Sequence, residues 1–174
     1  MAVGKSTEAV AFARKAVELD PLQTRSWNYL SEILYYDRNY SEVLRIMDQQ
    51  KIDRYIRRYN CLVLLSRFKE AREEVNSYRS PEAREYFTLL LDAFMGKKIV
   101  LHGKYENNPS FWYENAILHA HAGNVDKALK HLELAIDSKQ EETWTISVNP
   151  MLDPLRKEPG FARLLKKMNY PRFN

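Results

Sequence analysis

The chain has 174 residues, 45% of them apolar and 29% charged, so it can bury a core. Its single cysteine, Cys61, excludes an internal disulfide. No apolar run nears the ~20 residues that cross a bilayer, and residues 1–7 lack the apolar stretch of a signal peptide, so a cytoplasmic chain is favoured. The net charge of +4 is concentrated between Leu155 and Arg172, where six bases accompany one acid, which indicates a solvated face rather than the basic stripe of a nucleic-acid-binding protein.

Helical periodicity runs through the chain from its first residues. Ala9 and Ala13 recur at helical spacing, and Pro21 ends the helix that they predict. Further on, Ser80 before Pro81 is typical of a helix start, with the serine as cap and the proline in the first turn. In chain order, the predicted helices lie near 5–19, 23–36, 40–49, 53–65, 68–78, 81–95, 98–104, 109–122, 125–137 and 160–168.

Two stretches of the chain are less regular. Residues 96–100, Gly-Lys-Lys-Ile-Val, fit a short strand as well as the approach to the helix predicted at 98–104. Asn108 before Pro109 predicts the start of the helix that carries Trp112. After residue 148, prolines at 150, 154 and 159 predict short turns before the last helix.

The predicted helices form a repeating pattern of pairs. Near its start, the second helix of each pair carries a small or short apolar residue that would let the two helices approach closely. The candidate anchors of this kind are Ala9, Val43, Ala71, Leu101, Ala128 and Ala162. The outer spacings are 34 residues and the inner ones 27 to 30, so the inner second helices should be shorter by one or two turns.

This pattern resembles the tetratricopeptide repeat. The first helix of that family's pair carries a tryptophan, a leucine, a small residue and a further apolar residue, and the second helix carries aromatic and small residues. The residues that match are Trp27, Leu30, Ser31, Leu34, Tyr40 and Val43, and then Trp112, Ala116, Ala128, Leu132 and Ala135. The stretch between these two groups matches the pattern less closely.

The resemblance implies an all-α fold, a right-handed α-solenoid of antiparallel helix pairs with shortened inner repeats. It implies that residues 1–148 form tetratricopeptide-like repeats, the first of them incomplete, and that residues 149–174 form a proline-punctuated capping segment and helix. This ending is similar to that of the C-terminal arrays of bacterial signalling and regulatory proteins. We therefore expect the chain to be part of a larger regulatory protein.

The resemblance also implies where a partner would bind. The family binds peptides on a concave face lined by the first helix of each pair, and tyrosine offers a large contact area with few rotatable bonds. The residues predicted to bind a partner are Arg25, Asn28, Glu32, Tyr35, Tyr36, Asn60, Tyr86, Tyr113, Ile117 and His121. Several of these tyrosines could equally pack between helices.

The first predicted helix has no earlier helix to pair with. Its apolar side chains, including Val10, Phe12 and Val17, would be covered by upstream residues of a longer protein or by a second copy of the chain. We therefore expect either weak homodimerisation through helix 5–19 or a parent protein that supplies the missing helix and its own targeting signals.

No catalytic or metal-binding pattern is recognisable in the sequence. Residues 4–7, Gly-Lys-Ser-Thr, lack the earlier glycine and the βαβ frame of a phosphate-binding loop. His119 and His121 lie two apart on one helix and diverge, His131 lies on the next helix, and the HExxH spacing of zinc sites is missing. Adjacent acids diverge in the same way, so we expect no metal, no cofactor and no enzyme activity.

The leading hypothesis for function is a scaffold that binds a protein or a peptide. Two alternatives stay open. One is a regulatory domain that senses a small ligand in a pocket among Tyr35, Tyr36, Tyr86 and Tyr113, and the other is a homodimerisation module built on the first helix. Neither a membrane nor a nucleic acid is an expected partner.

Overall fold

The computed structural model describes residues 6–53, 55–101 and 103–168. These residues form ten α-helices and three 3₁₀ helices with no strand among them, which confirms the predicted all-α class. The α-helices are α1 (Ser6–Leu19), α2 (Thr24–Tyr36), α3 (Tyr40–Gln50), α4 (Tyr55–Leu64), α5 (Phe68–Ser77), α6 (Pro81–Phe94), α7 (Gly103–Glu106), α8 (Trp112–His121), α9 (Val125–Asp137) and α10 (Pro159–Lys167). The 3₁₀ helices span Pro109–Phe111, Glu141–Thr145 and Pro150–Leu155. None of these helices is long and apolar enough to span a bilayer.

Contacts between residues divide the chain into two compact units, the first ending at Tyr78 and the second beginning at Arg79. In the first unit, α1 packs against α2, α2 against α3, α3 against α4, and α4 against α5. In the second unit, α8 packs against α9, α6 and α7, and α10 packs against α9. The segment that follows residue 148 lies within this second unit, and the boundary predicted at that residue stays a prediction.

Three helix hairpins, α2–α3, α4–α5 and α8–α9, share one turn geometry. The residue two positions before each second helix has a positive φ, and these residues are Arg38 (65°), Ser66 (58°) and Gly123 (76°). In all three turns the next amide donates to the carbonyl five positions earlier, at 2.8 to 2.9 Å, which satisfies the end of the first helix. The same local unit is therefore built three times.

A fully buried side chain follows at the same position of each second helix. Val43, Ala71 and Ala128 are the fourth residues of α3, α5 and α9, and none of them has exposed surface. These three predicted anchors are confirmed. Of the other candidates, Ala162 is exposed on α10 and Leu101 lies outside any helix.

Side chains that share helical spacing form the core of each unit. Residues that match the tetratricopeptide pattern and are buried include Leu30 and Leu34 in the first unit, and Leu132 and Ala135 in the second. Trp27, which also matches the pattern, is only half-buried, and its indole Nε1 donates to the Pro21 carbonyl oxygen at 2.8 Å. Leu65 and Phe68 are likewise only partly buried.

The helix predicted at 98–104 is wrong in position. After α6 ends at Phe94, Gly96 adopts a φ of 71°, and residues 97–101 are neither helical nor extended into a strand. Ile99 and Val100 are β-branched and have low helix propensity, which explains why the helix does not form there. Only the four-residue α7 follows.

The predicted helix starts at the Ser-Pro and Asn-Pro pairs are confirmed. The Ser80 hydroxyl accepts a hydrogen bond from the Ala83 amide at 3.1 Å, as an N-cap does. The Asn108 side chain accepts from the Ser110 amide at 3.0 Å, although the chain there makes a 3₁₀ turn before α8 begins. Local sequence therefore determines these two boundaries.

The end of the second unit packs on α8 and α9. The 3₁₀ helix Pro150–Leu155 contacts α8, and its Met151, Leu152 and Leu155 side chains are buried. On the other side, α10 approaches α9 so closely that a Cβ on Gly160 would lie 2.5 Å from Leu129 Cδ1. As a result α8 is covered by chain on several sides, and Tyr113 and residues 115–120 are all buried.

Candidate functional site

Six of the ten residues predicted to bind a partner lie on α2 and α4 in the first unit. We call this group the α2–α4 surface, and it consists of Arg25, Asn28, Glu32, Tyr35, Tyr36 and Asn60, together with Arg57. Arg57 meets Asn28, and Asn60 donates to the Tyr35 hydroxyl at 3.3 Å, so α2 and α4 run in the same direction. The structure therefore brings these six predicted residues together.

Arg57 joins the two helices through four hydrogen bonds. Its Nη1 donates to Asn28 Oδ1 at 2.9 Å, to the Asn28 carbonyl oxygen at 3.2 Å and to Ser31 Oγ at 2.6 Å. Its Nη2 donates to Glu32 Oε2 at 3.1 Å. Because both partners of this ion pair are largely shielded from solvent, the Glu32 charge is neutralised within the surface.

The sequence did not identify Arg57 as part of this surface. A base on the first helix of one predicted pair, 25 residues after an acid on the first helix of the preceding pair, is the signal that could have found it. Such a spacing brings equivalent faces of neighbouring repeats together. Arg57 and Glu32 therefore hold α2 and α4 together within this surface.

The exposed part of this surface is both aromatic and basic. Arg25 is exposed, and Tyr29 and Ile56, beside Asn28 and Arg57 in sequence, are about half exposed. Tyr35 is buried, and its ring meets that of Tyr36 edge-on at a centroid distance of 5.2 Å. The two helices that Arg57 joins therefore also carry exposed aromatic, aliphatic and basic side chains.

The other four predicted residues lie in the second unit and pack against its own chain. Tyr113 is buried, and its hydroxyl accepts a hydrogen bond from Asn149 Nδ2 at 2.8 Å. His121 Nε2 lies 2.9 Å from the Met151 carbonyl oxygen, and its ring stacks on a phenylalanine ring. Ile117 is buried as well, and Tyr86 donates to a backbone carbonyl of α8 at 2.9 Å.

This packing bears on the small-ligand hypothesis. Tyr35 and Tyr36 belong to the first unit, whereas Tyr86 and Tyr113 belong to the second. Tyr35 and Tyr113 are buried. A ligand pocket among the four tyrosines stays a prediction.

A second polar group, which the sequence did not reveal, lies in the second unit. Glu106 ends α7, His119 lies on α8 and His131 on α9, and one ligand atom from each lies within 4.8 Å of the others. The two imidazole rings stack nearly parallel with centroids 5.3 Å apart. Glu106 Oε1 lies 3.9 Å from His119 Nε2 and accepts a hydrogen bond from Lys127 Nζ at 2.6 Å.

The electrostatics of this group keep its histidines neutral. Burial, together with the neighbouring His131 and Lys127, lowers the pKa of His119 to about 4. The pKa of His131 is also lowered by burial. The hydrogen bond from Lys127 lowers the pKa of Glu106, so its carboxyl is ionised. The signal in the sequence was two histidines on the two helices of one tight hairpin.

Comparisons with protein-family models, with curated proteins and with solved structures found no significant match. The resemblance to tetratricopeptide repeats therefore stands on the residues and on the helix hairpins of this chain.

Glu114 on α8 allows the burial of side chains on this helix to be tested by changing the pH. Burial, together with the nearby Glu142, raises the pKa of its carboxyl to about 7, and Oε2 has no hydrogen-bond partner in the described part of the chain. Because the folded state binds this proton more tightly than the unfolded state, the carboxyl costs stability as the pH rises through 7. Glu114→Gln removes that cost.

We expect Glu114→Gln to change the free energy of unfolding relative to the wild type in a pH-dependent way. The value for the variant minus that for the wild type should be about 2–3 kcal/mol larger at pH 9 than at pH 5. Urea unfolding followed by circular dichroism at both pH values measures this. Glu141→Gln, at an exposed neighbouring acid, is the matched control and should show no such change. If Glu114→Gln changes the free energy of unfolding by the same amount at both pH values, the raised pKa of the Glu114 carboxyl is contradicted.

Proposed function

We propose that the chain is a peptide-binding module of the tetratricopeptide kind and that the peptide binds on the α2–α4 surface. The repeated hairpin supports the family: three turns have the same backbone geometry, and three buried anchors stand at the same helical position. In this proposal the helix pairs within each unit follow the right-handed order of that family.

The observation that supports binding most directly is that Arg25, Tyr29 and Ile56 are exposed on the two helices that Arg57 joins. A tyrosine and an isoleucine that stay half exposed offer apolar contact area, and tyrosine and arginine are enriched among residues that dominate binding energy. The network holds α2 and α4 in place before a partner arrives, so little ordering is needed on binding.

The charges of the surface indicate what kind of peptide it would take. Glu32 is neutralised by Arg57, whereas the Arg25 side chain is exposed. The accessible charge is therefore positive and lies beside apolar surface. A peptide with an acidic residue next to an aliphatic or aromatic one is complementary to this arrangement.

A displayed library of random peptides, selected on the immobilised protein, tests the proposal. Selected peptides should contain an acid beside an apolar residue, and the double variant Arg25→Ala/Tyr29→Ala should weaken their binding roughly tenfold or more in fluorescence anisotropy. The matched control, Trp144→Ala/Arg163→Ala, removes an exposed aromatic residue and an exposed arginine from the second unit and should leave affinity unchanged. Failure to select any peptide, or loss of binding in the control alone, contradicts the proposal.

A second candidate function, self-association through α1, is favoured by the exposed side of that helix. Phe12 and Leu19 are 75% and 76% exposed and lie seven residues apart, so they share one face. Val17, which was expected on the uncovered face, is buried together with Ala13 as α1 packs on α2. A symmetric pairing of two copies would cover Phe12 and Leu19 with each other.

Size exclusion with light scattering over a tenfold concentration range tests this pairing. The wild-type mass should rise above 20.6 kDa with concentration, and Phe12→Glu should stay monomeric. Trp144→Glu, which places the same charge on another exposed aromatic position, should associate like the wild type. A wild type that stays at the monomer mass throughout contradicts this second function.

A further inference from the structure

We propose that Glu106, His119 and His131 form a binding site for one divalent transition-metal ion, with zinc as the expected occupant. The three side chains come from three successive helices of the second unit, and their ligand atoms already converge within 4.8 Å. Two imidazoles and one carboxylate are a ligand set that zinc uses. The site is independent of the α2–α4 surface and of the peptide-binding proposal.

The strongest observation is the state of the His119 imidazole. The residue is 3% exposed, yet neither of its ring nitrogens has a hydrogen-bond partner within the described residues. His131 is 6% exposed, and its Nδ1 also has no hydrogen-bond partner within the described residues. Buried nitrogens without partners are costly, and a metal ion would satisfy the lone pair that each neutral ring presents.

The protonation states suit a metal ion. Metal binding requires a deprotonated imidazole and an ionised carboxylate, which are the ordinary forms of histidine and glutamate side chains a little above pH 7. Imidazole ligands favour zinc and its neighbours in the first transition row over magnesium or calcium. Hence no proton needs to leave these three side chains when the ion binds.

The separation of the ligands fits the site with small side-chain movements. Tetrahedral zinc with bonds of about 2.0–2.2 Å places its ligand atoms roughly 3.3 Å apart. Glu106 Oε1 and His119 Nε2 are 3.9 Å apart and would close by about 0.6 Å, and a pair at the 4.8 Å limit would close by about 1.5 Å. With three protein ligands the fourth position is open to water or to an external ligand.

Lys127 sets the affinity of this site. Its ammonium donates to Glu106 Oε1 at 2.6 Å, and it would repel a metal ion bound at the same carboxylate. The lysine side chain is more than half exposed, so it can turn into solvent when the ion arrives. Removing its charge should therefore tighten metal binding, which a merely structural role of the histidines would not produce.

The test is isothermal titration of metal-stripped, tag-free protein with zinc, supported by cobalt absorption spectra. Every sample carries His102→Gln, so that His119, His121 and His131 are the histidines that remain. We expect one equivalent of zinc to bind, Glu106→Gln to weaken it at least roughly tenfold, and Lys127→Met to tighten it severalfold. His131→Gln should abolish the cobalt spectrum, and His121→Gln, outside the cluster, should change nothing.

Glu106 and Lys127 keep the test informative if a buried histidine variant fails to fold, because both of these positions reach solvent. Zinc should raise the melting temperature of the starting protein and of Lys127→Met, and raise it less in Glu106→Gln. Absence of one-equivalent binding in both the starting protein and Lys127→Met overturns the proposal. Binding that Glu106→Gln leaves unchanged, or that Lys127→Met weakens, overturns it as well.

Discussion

The close approach of two helices at a fully buried small or short side chain is the constraint on which the fold depends. Val43, Ala71 and Ala128 stand at the fourth position of α3, α5 and α9, directly after a turn that recurs with the same hydrogen bonds. A longer side chain at these points would force the helices apart, because protein interiors have no spare volume. The rest of each hairpin packs in the register that these contacts set.

In the second unit this packing also explains the polar groups that are buried there. α8 lies against α9 on one side and against the 3₁₀ helix Pro150–Leu155 on another, so few of its positions reach water. Tyr113 and His121 then find hydrogen-bond partners in the segment after α9. Within the described residues His119 has no such partner, and it faces His131 across the hairpin, which is why the proposed metal site falls there.

Many helix boundaries could be predicted because residues at or next to each boundary determine them. Pro21, Ser80 and Asn108 act within one turn of their own positions, and the helices next to them begin or end where expected. At 98–104 the repeat spacing favours a helix, but the low helix propensity of Ile99 and Val100 opposes one. At that point the local preference determined the structure.

The sites were harder to predict, because their contacts join residues far apart in sequence. Arg57 acts through Glu32 and Asn28 on another helix, and the segment after α9 covers Tyr113 and His121. A single sequence shows which faces are polar, but not which distant segment will cover them. The neighbours of His119 became evident only once α7, α8 and α9 were placed together.

The most direct measurement of the central claim compares leucine at a buried and at an exposed anchor position. Ala128→Leu should lower the free energy of unfolding by ~1–3 kcal/mol in chemical or thermal unfolding, because Ala128 is fully buried and a larger side chain there would overpack its surroundings. Ala162→Leu, the same change on the exposed side of α10, should leave stability unchanged. If both variants unfold like the wild type, the close contact at Ala128 does not set the packing, and the account is contradicted.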